Sequence, residues 1–337
     1  MSYFVTGATG FIGRHLVECL LEREGTIYVL VRESSEGRVD ALIERWGADP
    51  DRVVKVIGDL TEPKLGVSEK NLEKLAGVDH FFHLAAVYDM TASDKANDRA
   101  NVQGTRNAVE LANAINAGTF HHASSVAVAG EHRGLFREDM FDEGQKLPSA
   151  YHRTKFESER IVRNNIAGNF RVYRPAVVVG NSKTGEMDKI DGPYYFFKAI
   201  QKARHMLPEW VPLAGPELGH TNVVPVDYVA ASMDYIAHVD GLEGQAFHLT
   251  NPKRQRSGDV MNTFARAAHA PQLAMRVDRR LLSMLPKGVL SMAMQLPALK
   301  DIRKNVLADL GIPVEVLEHI DMPTEFDTRD TERALDG

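Results

Sequence analysis

The chain has 337 residues, with 40 Lys and Arg against 46 Asp and Glu, so its formal net charge is −6 with histidine neutral. This mild acidity argues against a nucleic acid or an anionic membrane as the main partner. Hydrophobic residues make up 44% and charged residues 26%, which excludes disordered, collagen-like and coiled-coil proteins. No run of about 18 apolar residues is present to span a bilayer. A glycine motif that begins at Thr6 leaves no room for a signal peptide, so we expect a cytoplasmic protein.

The first half of the chain alternates between the apolar period of a strand and that of a helix. Tyr3–Thr6 is a short apolar run, and Ile12, Leu16 and Leu20 follow four apart, as one face of a helix requires. Further runs of apolar and β-branched residues predict strands at 26–31, 53–57, 80–84 and 119–124, and one that ends at Arg174, with helices between them. Because such strands need crossover connections, we predict an α/β fold, with a Rossmann-type doubly wound parallel sheet covered by helices on both faces.

The second half of the chain loses this rhythm after Pro175. Glycine, proline and aromatic residues cluster from 180 to 216, followed by a predicted helix at 227–237, a strand at 246–249 and a helix at 257–268. We therefore expect residues 1–178 to form the Rossmann domain. Residues 179–337 are expected to form mainly a smaller substrate-binding lobe, with some segments returning to the Rossmann domain.

Three glycines at a spacing of three lie directly after the first predicted strand and open a helix. Glycine allows a tight turn and lets a pyrophosphate approach the helix amino terminus, where unpaired N–H groups and the helix dipole favour negative charge. An ordinary glycine-capped turn is the alternative interpretation. The position between strand and helix favours a dinucleotide site, with cofactor contacts expected at Thr6, Gly7, Thr9, Gly10, Phe11, Ile12 and Gly13.

The end of the second predicted strand indicates which nucleotide binds. A NAD enzyme would place Asp or Glu there to bond the ribose hydroxyls, but this chain has Arg32. A guanidinium at this position would pair with a 2′-phosphate, and Arg38 could assist it. A solvated arginine at a strand end is the alternative. We therefore predict NADPH, which becomes NADP on oxidation, as the cofactor.

Carbonyl reduction requires a hydride on carbon and a proton on oxygen, and three residues are candidates for the second task. Tyr151 and Lys155 are four apart, so on a helix they project from one face. Ser125 ends the preceding strand, and its hydroxyl would orient the carbonyl oxygen and stabilise the developing oxyanion. Lys155 would hold the nicotinamide ribose and lower the Tyr151 pKa by roughly three units, which takes about 4 kcal/mol. The pattern predicts Tyr151 as the general acid.

The order of these motifs resembles that of the extended short-chain dehydrogenases and reductases. The glycine loop reads T-G-x-x-G-x-x-G, Y-x-x-x-K follows a serine strand end, and Tyr173-Arg174-Pro175 comes after the helix. Counting back five residues from Gly130, as in that family's pattern, selects Ser125 rather than Ser124. The resemblance implies further cofactor contacts: Asp59 and Leu60 beside the adenine, Ala85 and Ala86 at the fourth strand, and Pro175.

Five longer stretches carry a closer resemblance: T-G-A-T-G-F-I-G-R-H-L at 6–16, F-H-L-A-A-V-Y-D-M at 82–90, R-E-D-M-F-D-E at 137–143, G-E-M-D-K-I-D-G-P-Y-Y-F-F-K at 185–198 and P-T-E-F-D-T-R at 323–329. Over nearly its whole length the chain resembles the amino-terminal domain of bacterial two-domain fatty acyl-CoA reductases, which are thioester-reductase-like and of the NAD-binding male-sterility type. In that family a second reductase domain follows, and together the domains take a fatty acyl thioester through an aldehyde to an alcohol. We therefore expect an excised domain or a free-standing relative that acts in lipid metabolism.

Two groups of residues are candidates for substrate contacts. Gly192–Phe197 and Met284–Met294 are rich in aromatic residues and methionine, so they line an apolar tunnel for a long chain or simply form core. Basic clusters could meet the phosphates of coenzyme A or a carrier-protein thioester, or form a solvated surface: Lys198, Lys202 and Arg204, and Lys253, Arg254 and Arg256.

The histidines and the cysteine are expected to be structural. His80 and His83, like His121 and His122, have odd offsets on predicted strands, so each pair faces opposite sides of the sheet and cannot chelate one metal. We therefore predict no metal site. Cys19 is the one cysteine of the chain, and it falls inside a helical pattern, as a core residue does.

These residues together predict an NADPH-dependent reductase of long-chain acyl thioesters or fatty aldehydes. A sugar-nucleotide epimerase or dehydratase, or another extended short-chain carbonyl reductase, is the alternative enzyme. Epimerases of this type usually retain NAD and would prefer an acidic residue in place of Arg32. A nucleotide-sensing binding module would share the fold but lack the pair formed by Tyr151 and Lys155.

Overall fold

The computed structural model describes residues 1–86, 98–188, 192–216, 219–277 and 322–336. The chain divides into two compact units. The first unit extends past residue 178 and takes back two segments from the second half of the chain. It comprises Met1–Asp188, Val223–Pro252 and Thr324–Gly337, and the second unit comprises Lys189–Asn222 and Lys253–Pro323.

The first unit is built on a seven-stranded parallel sheet. Its strands are β1 (Ser2–Thr6), β2 (Thr26–Val31), β3 (Val53–Ile57), β4 (His80–His83), β5 (Thr119–Ala123), β6 (Asn169–Pro175) and β7 (Ala246–Leu249). Their spatial order is β3-β2-β1-β4-β5-β6-β7. This order reverses direction between β1 and β4, so it confirms the predicted doubly wound fold and puts a ligand crevice beyond the carboxyl ends of these two strands.

The helices of the described residues pack on both faces of this sheet or belong to the second unit. In chain order they are α1 (Phe11–Leu21), α2 (Glu36–Trp46), α3 (Glu69–Leu75), α4 (Gly104–Ala114), α5 (Ala150–Asn165), α6 (Phe197–Met206), α7 (Val226–Ala237), α8 (Ser257–Ala267) and α9 (Arg329–Leu335). On one face, Leu16 of α1 and Met233 of α7 join a buried apolar cluster. On the other face, Leu111 of α4 and Val162 of α5 pack against the strand residue Phe120.

Two parts of the second half of the chain belong to the first unit. Helix α7 packs on α1, and β7 pairs with β6 at the edge of the sheet, with Ala246 opposite Val172 and Leu249 opposite Pro175. Near the carboxyl terminus, the short strand Thr324–Phe326 pairs in parallel with Gly134–Phe136, and α9 follows it. These contacts are long-range in sequence, so the alternation of local apolar patterns gives no sign of them.

The second unit has its own elements and a small core. Helices α6 and α8 bury Ile200, Ala265 and Ala270. Its strands pair as Leu213–Pro216 with Leu273–Val277 in parallel and His220–Thr221 with Gln255–Arg256 antiparallel. Three regions singled out in the sequence lie outside the described residues. They are the Met-rich segment Met284–Met294, residues 87–90 of the stretch at 82–90, and residues 189–191 of the stretch at 185–198. Among the helices that are described, none combines the length and the apolar character that crossing a membrane requires.

Candidate active site

The glycine turn between β1 and α1 is closed so tightly that side chains do not fit in it. Gly7 has a φ of +77°, and a Cβ on this residue would lie 2.7 Å from the backbone nitrogen of Ala85. A Cβ on Gly13 would overlap the carbonyl oxygen of Gly7. The turn closes through a hydrogen bond of 2.9 Å from Gly10 N to Gly7 O. Glycine at positions 7 and 13 therefore allows the turn to approach the backbone after β4 and the helix to approach the turn.

The first turn of α1 suits an anionic group. The helix has Gly10 as its N-cap, with no side-chain cap and no acidic residue in the first turn. Amide groups at the start of a helix have no partner within the helix, and the dipole adds positive potential there. Phe11 and Ile12 are both partly accessible. The residues present therefore fit a pyrophosphate, which is the part of a dinucleotide that a helix amino terminus recognises.

Thr6 connects the end of β1 to the end of β4. Its hydroxyl lies 2.9 Å from Nδ1 of His83 and accepts a hydrogen bond of 3.3 Å from the backbone nitrogen of Ala85. The other ring nitrogen of His83 lies 3.1 Å from the hydroxyl of Thr105 on α4. Thr9 is exposed on the turn itself. The predicted contacts Thr6 and Ala85 thus meet at the point where the strand order reverses.

The remaining predicted cofactor residues lie along the same edge of the sheet. Arg32 is exposed directly after β2, and Arg38 is exposed on α2. Asp59 follows β3 and accepts hydrogen bonds of 2.8 Å from the nitrogen and hydroxyl of Thr61. These hydrogen bonds, together with the nearby charge of Arg32, lower the pKa of Asp59. The other positions are Leu60 after Asp59, Ala85 and Ala86 after β4, and the buried Pro175 at the end of β6.

Ser125 and Tyr151 contact each other through a hydrogen bond between their side chains. Ser125 follows β5 in an extended conformation and starts a short turn, where its oxygen accepts a hydrogen bond of 3.2 Å from Ala127 N. Tyr151 lies in the first turn of α5, which Ser149 caps by accepting from the nitrogen of His152. A strand end and a helix start therefore bring the two hydroxyl groups together.

Lys155 is buried on the next turn of α5, and its Nζ donates a hydrogen bond of 3.1 Å to the carbonyl oxygen of Ala123. Burial lowers the pKa of Lys155 to about 8, and the charge of Glu159 opposes this shift. Burial raises the pKa of Tyr151 to about 12, with the hydrogen bond to Ser125 acting in the opposite direction. The predicted lowering of the Tyr151 pKa by Lys155 is therefore not found, because desolvation of the phenol outweighs the other effects.

Sequence reasoning missed a buried charge beside these residues. Glu159 lies four residues after Lys155 on α5 and forms an ion pair of 2.6 Å with Arg174 of β6, with both side chains fully buried. The available signal was an acidic residue on the buried stripe of α5, followed by the motif Tyr173-Arg174-Pro175.

The histidines pair across neighbouring strands rather than along one strand. Nδ1 of His80 lies 3.1 Å from Nε2 of His121, and the rings of His83 and His122 stack at 5.7 Å. In the part of the chain that the structure describes, no three His, Cys, Asp or Glu side chains are grouped so that they could hold a metal ion.

Comparison with known proteins shows the family and the fold of this chain. A family model described as male sterility protein, an NAD-binding family, matches residues 5–233. A linear gramicidin synthase of Brevibacillus parabrevis is 30% identical over 279 residues, which is 76% of this chain and 5% of that protein. A Drosophila melanogaster protein named as a candidate fatty acyl-CoA reductase is 26% identical over 284 residues, covering 68% of this chain and 50% of that protein. The chain thus spans only part of the length of these relatives.

Solved structures with the same fold include reductases and sugar-nucleotide enzymes. The terminal R domain of the myxalamid PKS-NRPS pathway is 27% identical with a TM-score of 0.76, covering 100% of this chain and 85% of that domain. MoeE5 in complex with UDP-glucuronic acid and NAD is 18% identical with a TM-score of 0.64, covering 100% of this chain and 93% of that protein, and it shares the fold alone. The chain therefore belongs to the male sterility protein family of NAD-binding reductase domains.

Proposed function

We propose that this protein is an NADPH-dependent reductase of long-chain acyl substrates, with Tyr151 as the general acid. The observation that carries the proposal is the hydrogen bond between Ser125 and Tyr151, with Lys155 on the next helical turn. All three residues lie on the elements that end or begin at the edge of the sheet where the glycine turn is found. Two hydroxyl groups beside a proposed dinucleotide site suit carbonyl reduction: the cofactor would supply hydride to the carbon, and a hydroxyl group would supply the proton to the oxygen.

The raised pKa of Tyr151 fits the direction of this reaction. A phenol with a pKa of about 12 stays protonated at neutral pH, which is the form that donates a proton. The carbonyl oxygen becomes an alkoxide as hydride reaches the carbon, and an alkoxide is a stronger base than a phenolate. Ser125 would orient that oxygen towards Tyr151 and stabilise its charge. Proton donation therefore does not require an acidified tyrosine.

The cofactor would supply the hydride, and residues along the carboxyl edge of the sheet would bind it. The first turn of α1 would receive the pyrophosphate, and Lys155 would hold the nicotinamide ribose. Arg32 supports NADPH over NADH, since its exposed guanidinium at the end of β2 suits a 2′-phosphate. Asp59, Leu60, Ala85, Ala86 and Pro175 would contact the adenine and the rest of the cofactor.

The substrate reacts by one of two balanced steps. In the thioester step, hydride on the carbonyl carbon and a proton on its oxygen give a hemithioacetal, which collapses to an aldehyde and a thiol. In the aldehyde step, hydride and a proton give a primary alcohol. The relative named for fatty acyl-CoA reduction supports a long acyl chain.

A further domain is part of the proposal, because the relatives are longer than this chain. The gramicidin synthase of Brevibacillus parabrevis is covered over only 5% of its length. We propose that the natural partner is a second reductase domain in the same polypeptide or a carrier that presents the acyl thioester. The cytoplasmic location expected from the sequence stays a prediction.

An NADPH-oxidation assay tests the proposed function. Acyl-CoA thioesters and aldehydes of matched chain lengths are compared side by side, with UDP-sugars and NAD as the alternative pair. We expect turnover with at least one long-chain acyl substrate. Tyr151→Phe should reduce this turnover by about 10²- to 10⁴-fold while leaving NADPH binding intact, and Tyr235→Phe, an exposed site on α7, serves as the control. Full turnover in Tyr151→Phe, or turnover of UDP-sugars alone, would contradict the proposal.

A further inference from the structure

Next to Ser125 in the chain begins a group of charged and polar side chains, here called the Glu159 cluster: Ser124, Glu159 and Arg174, which are buried, and Arg163, which is partly exposed. The carboxylate of Glu159 accepts from Arg174 at 2.6 Å (Nη2) and 3.1 Å (Nε). It also accepts from Nε of Arg163 at 2.9 Å and from the hydroxyl of Ser124 at 2.7 Å. Both carboxylate oxygens therefore have two partners each, and the carboxylate has a single well-defined position.

Stability alone does not explain a charged cluster at this site. Glu159 and Arg174 are both fully buried, and the desolvation cost of such a pair often equals or exceeds its Coulomb attraction. Burial by itself would raise the pKa of Glu159, but the charge and hydrogen bonds of Arg174, with help from Arg163 and Ser124, bring it down to about 2. The carboxylate is thus charged at every working pH. Apolar side chains of similar size often fill such a space at equal or lower cost.

The cluster contacts the elements that carry all three candidate catalytic residues. Ser124 directly precedes Ser125, and its backbone nitrogen donates to Tyr173 O at 2.8 Å. Glu159 follows Lys155 by one turn of α5, and Tyr151 precedes it by two turns. A shift of the Glu159 carboxylate would therefore move the end of β5 against α5. These are the two elements whose separation sets the hydrogen bond between Ser125 and Tyr151.

The titratable groups around Lys155 come from three elements. His83 of β4 and His122 of β5 both lie close enough to Lys155 to interact with its charge. Burial lowers the pKa of His83 to about 3 and that of His122 well below its usual range, so both rings are neutral. Glu159 on α5 itself is the group that favours the charged form of Lys155. Within the described residues, Glu159 is therefore the fixed negative charge that faces the lysine.

We propose that Glu159 is a positioning residue for the reduction: through Ser124 it sets the place of Ser125, and one helical turn from Lys155 it supplies the opposite charge. This inference rests on the proposed function, since it assigns Glu159 a part in the same reaction. Glu159 itself would touch neither substrate nor cofactor. Glu159 would affect turnover through the position of Ser125 and the charge of Lys155.

The test compares Glu159→Gln with Glu157→Gln, a control on the same helix whose partner is Arg160 near the surface. In Glu159→Gln the pKa of Lys155 should fall further, so we expect the basic limb of the kcat profile to move to lower pH by about one unit. We also expect kcat to fall at least about tenfold, because displaced catalytic groups react slowly. KM for NADPH should change little, and Glu157→Gln should match the wild type.

A second variant covers the case in which Glu159→Gln does not fold, since it leaves Arg174 without its buried counter-charge. Ser124→Ala removes one hydrogen bond and keeps the ion pair, so it should fold and lose several-fold in kcat with an unchanged pH profile. Wild-type kcat in Ser124→Ala overturns the inference, as does a Glu159→Gln enzyme whose basic limb has not moved. Absence of acyl reduction in the wild-type enzyme overturns the proposed function instead, so the two failures are distinguishable.

Discussion

The polar side chains at the two ends of the main sheet have different surroundings. At the carboxyl end, the glycine turn exposes Thr9 and Gly10, Arg32 is exposed after β2, and the buried Ser125 interacts with Tyr151. At the amino end, Tyr3 and His80 stack at 5.5 Å, and the hydroxyl of Tyr3 lies 3.1 Å from Nε2 of His238. The first end is where a doubly wound sheet binds a ligand, whereas at the second end the rings pack on one another.

The contrast shows that burial alone does not make a titratable group functional. Burial lowers the pKa of His80 to about 4 and that of His121 well below its usual range, so these rings are neutral packing elements. At the other end, burial acts on Tyr151 and Lys155, which lie beside the crevice and next to Ser125. Variants at the amino end should therefore alter stability, and variants at the carboxyl end should alter turnover.

Among the variants that test this contrast, Gly13→Ala at the carboxyl end should have the largest effect. The added methyl group would overlap the carbonyl oxygen of Gly7, so the turn and the first amides of α1 must shift. We expect NADPH affinity, measured by fluorescence titration, to fall by about a hundredfold. Gly37→Ala is the matched control, because a Cβ there meets nothing within 4 Å. Similar NADPH affinities in the two variants would show that the glycine turn does not bind the cofactor.

At the amino end, His80→Phe should change the pH dependence of stability. The pKa of His80 is about 4 in the folded chain against an ordinary value of 6.5, so between these values the unfolded chain binds more protons. The free energy of unfolding is therefore fully retained above about pH 6.5 and falls as the pH drops towards 4. His80→Phe should remove up to about 3 kcal/mol of that acid-induced loss.

Urea denaturation at several pH values measures this change in His80→Phe. The slope against pH is compared with that of the wild type, since the lost hydrogen bond to His121 also changes the absolute stability. NADPH oxidation near pH 7.5 should stay at the wild-type level. An unchanged slope, or a loss of turnover, would remove the distinction between the two ends of the sheet.

A smaller effect is expected from Arg32→Ser. Losing a charge-assisted hydrogen bond to a 2′-phosphate should raise KM for NADPH by about tenfold or more. KM for NADH should not change, because NADH lacks that phosphate, and the thermal midpoint should stay within a degree or two of the wild type. Equal effects on both cofactors would show that Arg32 does not select NADPH.

The smallest effect should come from Asp79→Ala at the amino end. Its carboxylate accepts hydrogen bonds from the nitrogen of Ser2 at 2.7 Å and from its hydroxyl at 3.1 Å, and the site is exposed. Exposed hydrogen bonds contribute little, so the free energy of unfolding should fall by about 0.5 to 1 kcal/mol. Thermal unfolding measures this loss, and kcat should not change. A clear fall in kcat would link the amino end to catalysis.

Local patterns predicted the main strands well because parallel strands carry nearly continuous apolar and β-branched runs. The predicted strands at 26–31 and 53–57 have the same bounds in β2 and β3, although both strands mix buried and partly exposed residues. We expect some segments after residue 178 to return to the Rossmann domain, but the sequence does not show which; the helix at 227–237 and the strand at 246–249 form α7 and β7 of the first unit. Their place depends on the pairing of Ala246–Leu249 with Val172–Pro175, and such long-range pairing leaves no local signal.

At the candidate site, the sequence predicted those residues that follow a regular spacing along the chain. Tyr151 and Lys155 share a helix face because of the helical period, and three glycines after a strand already predict a phosphate turn. The sequence did not reveal the role of Glu159 because that role depends on Arg174 of β6 and on Ser124, which follows β5.

The sequence by itself determined the order of strands and helices, the glycine turn and the tyrosine–lysine pair, because each depends on neighbours within a few residues. Only the tertiary structure decided that burial raises the pKa of Tyr151, that Ser125 contacts it, and that a buried carboxylate lies below Lys155. Burial and charge pairing depend on segments distant in sequence, so they exist only once the sheet has brought those segments together.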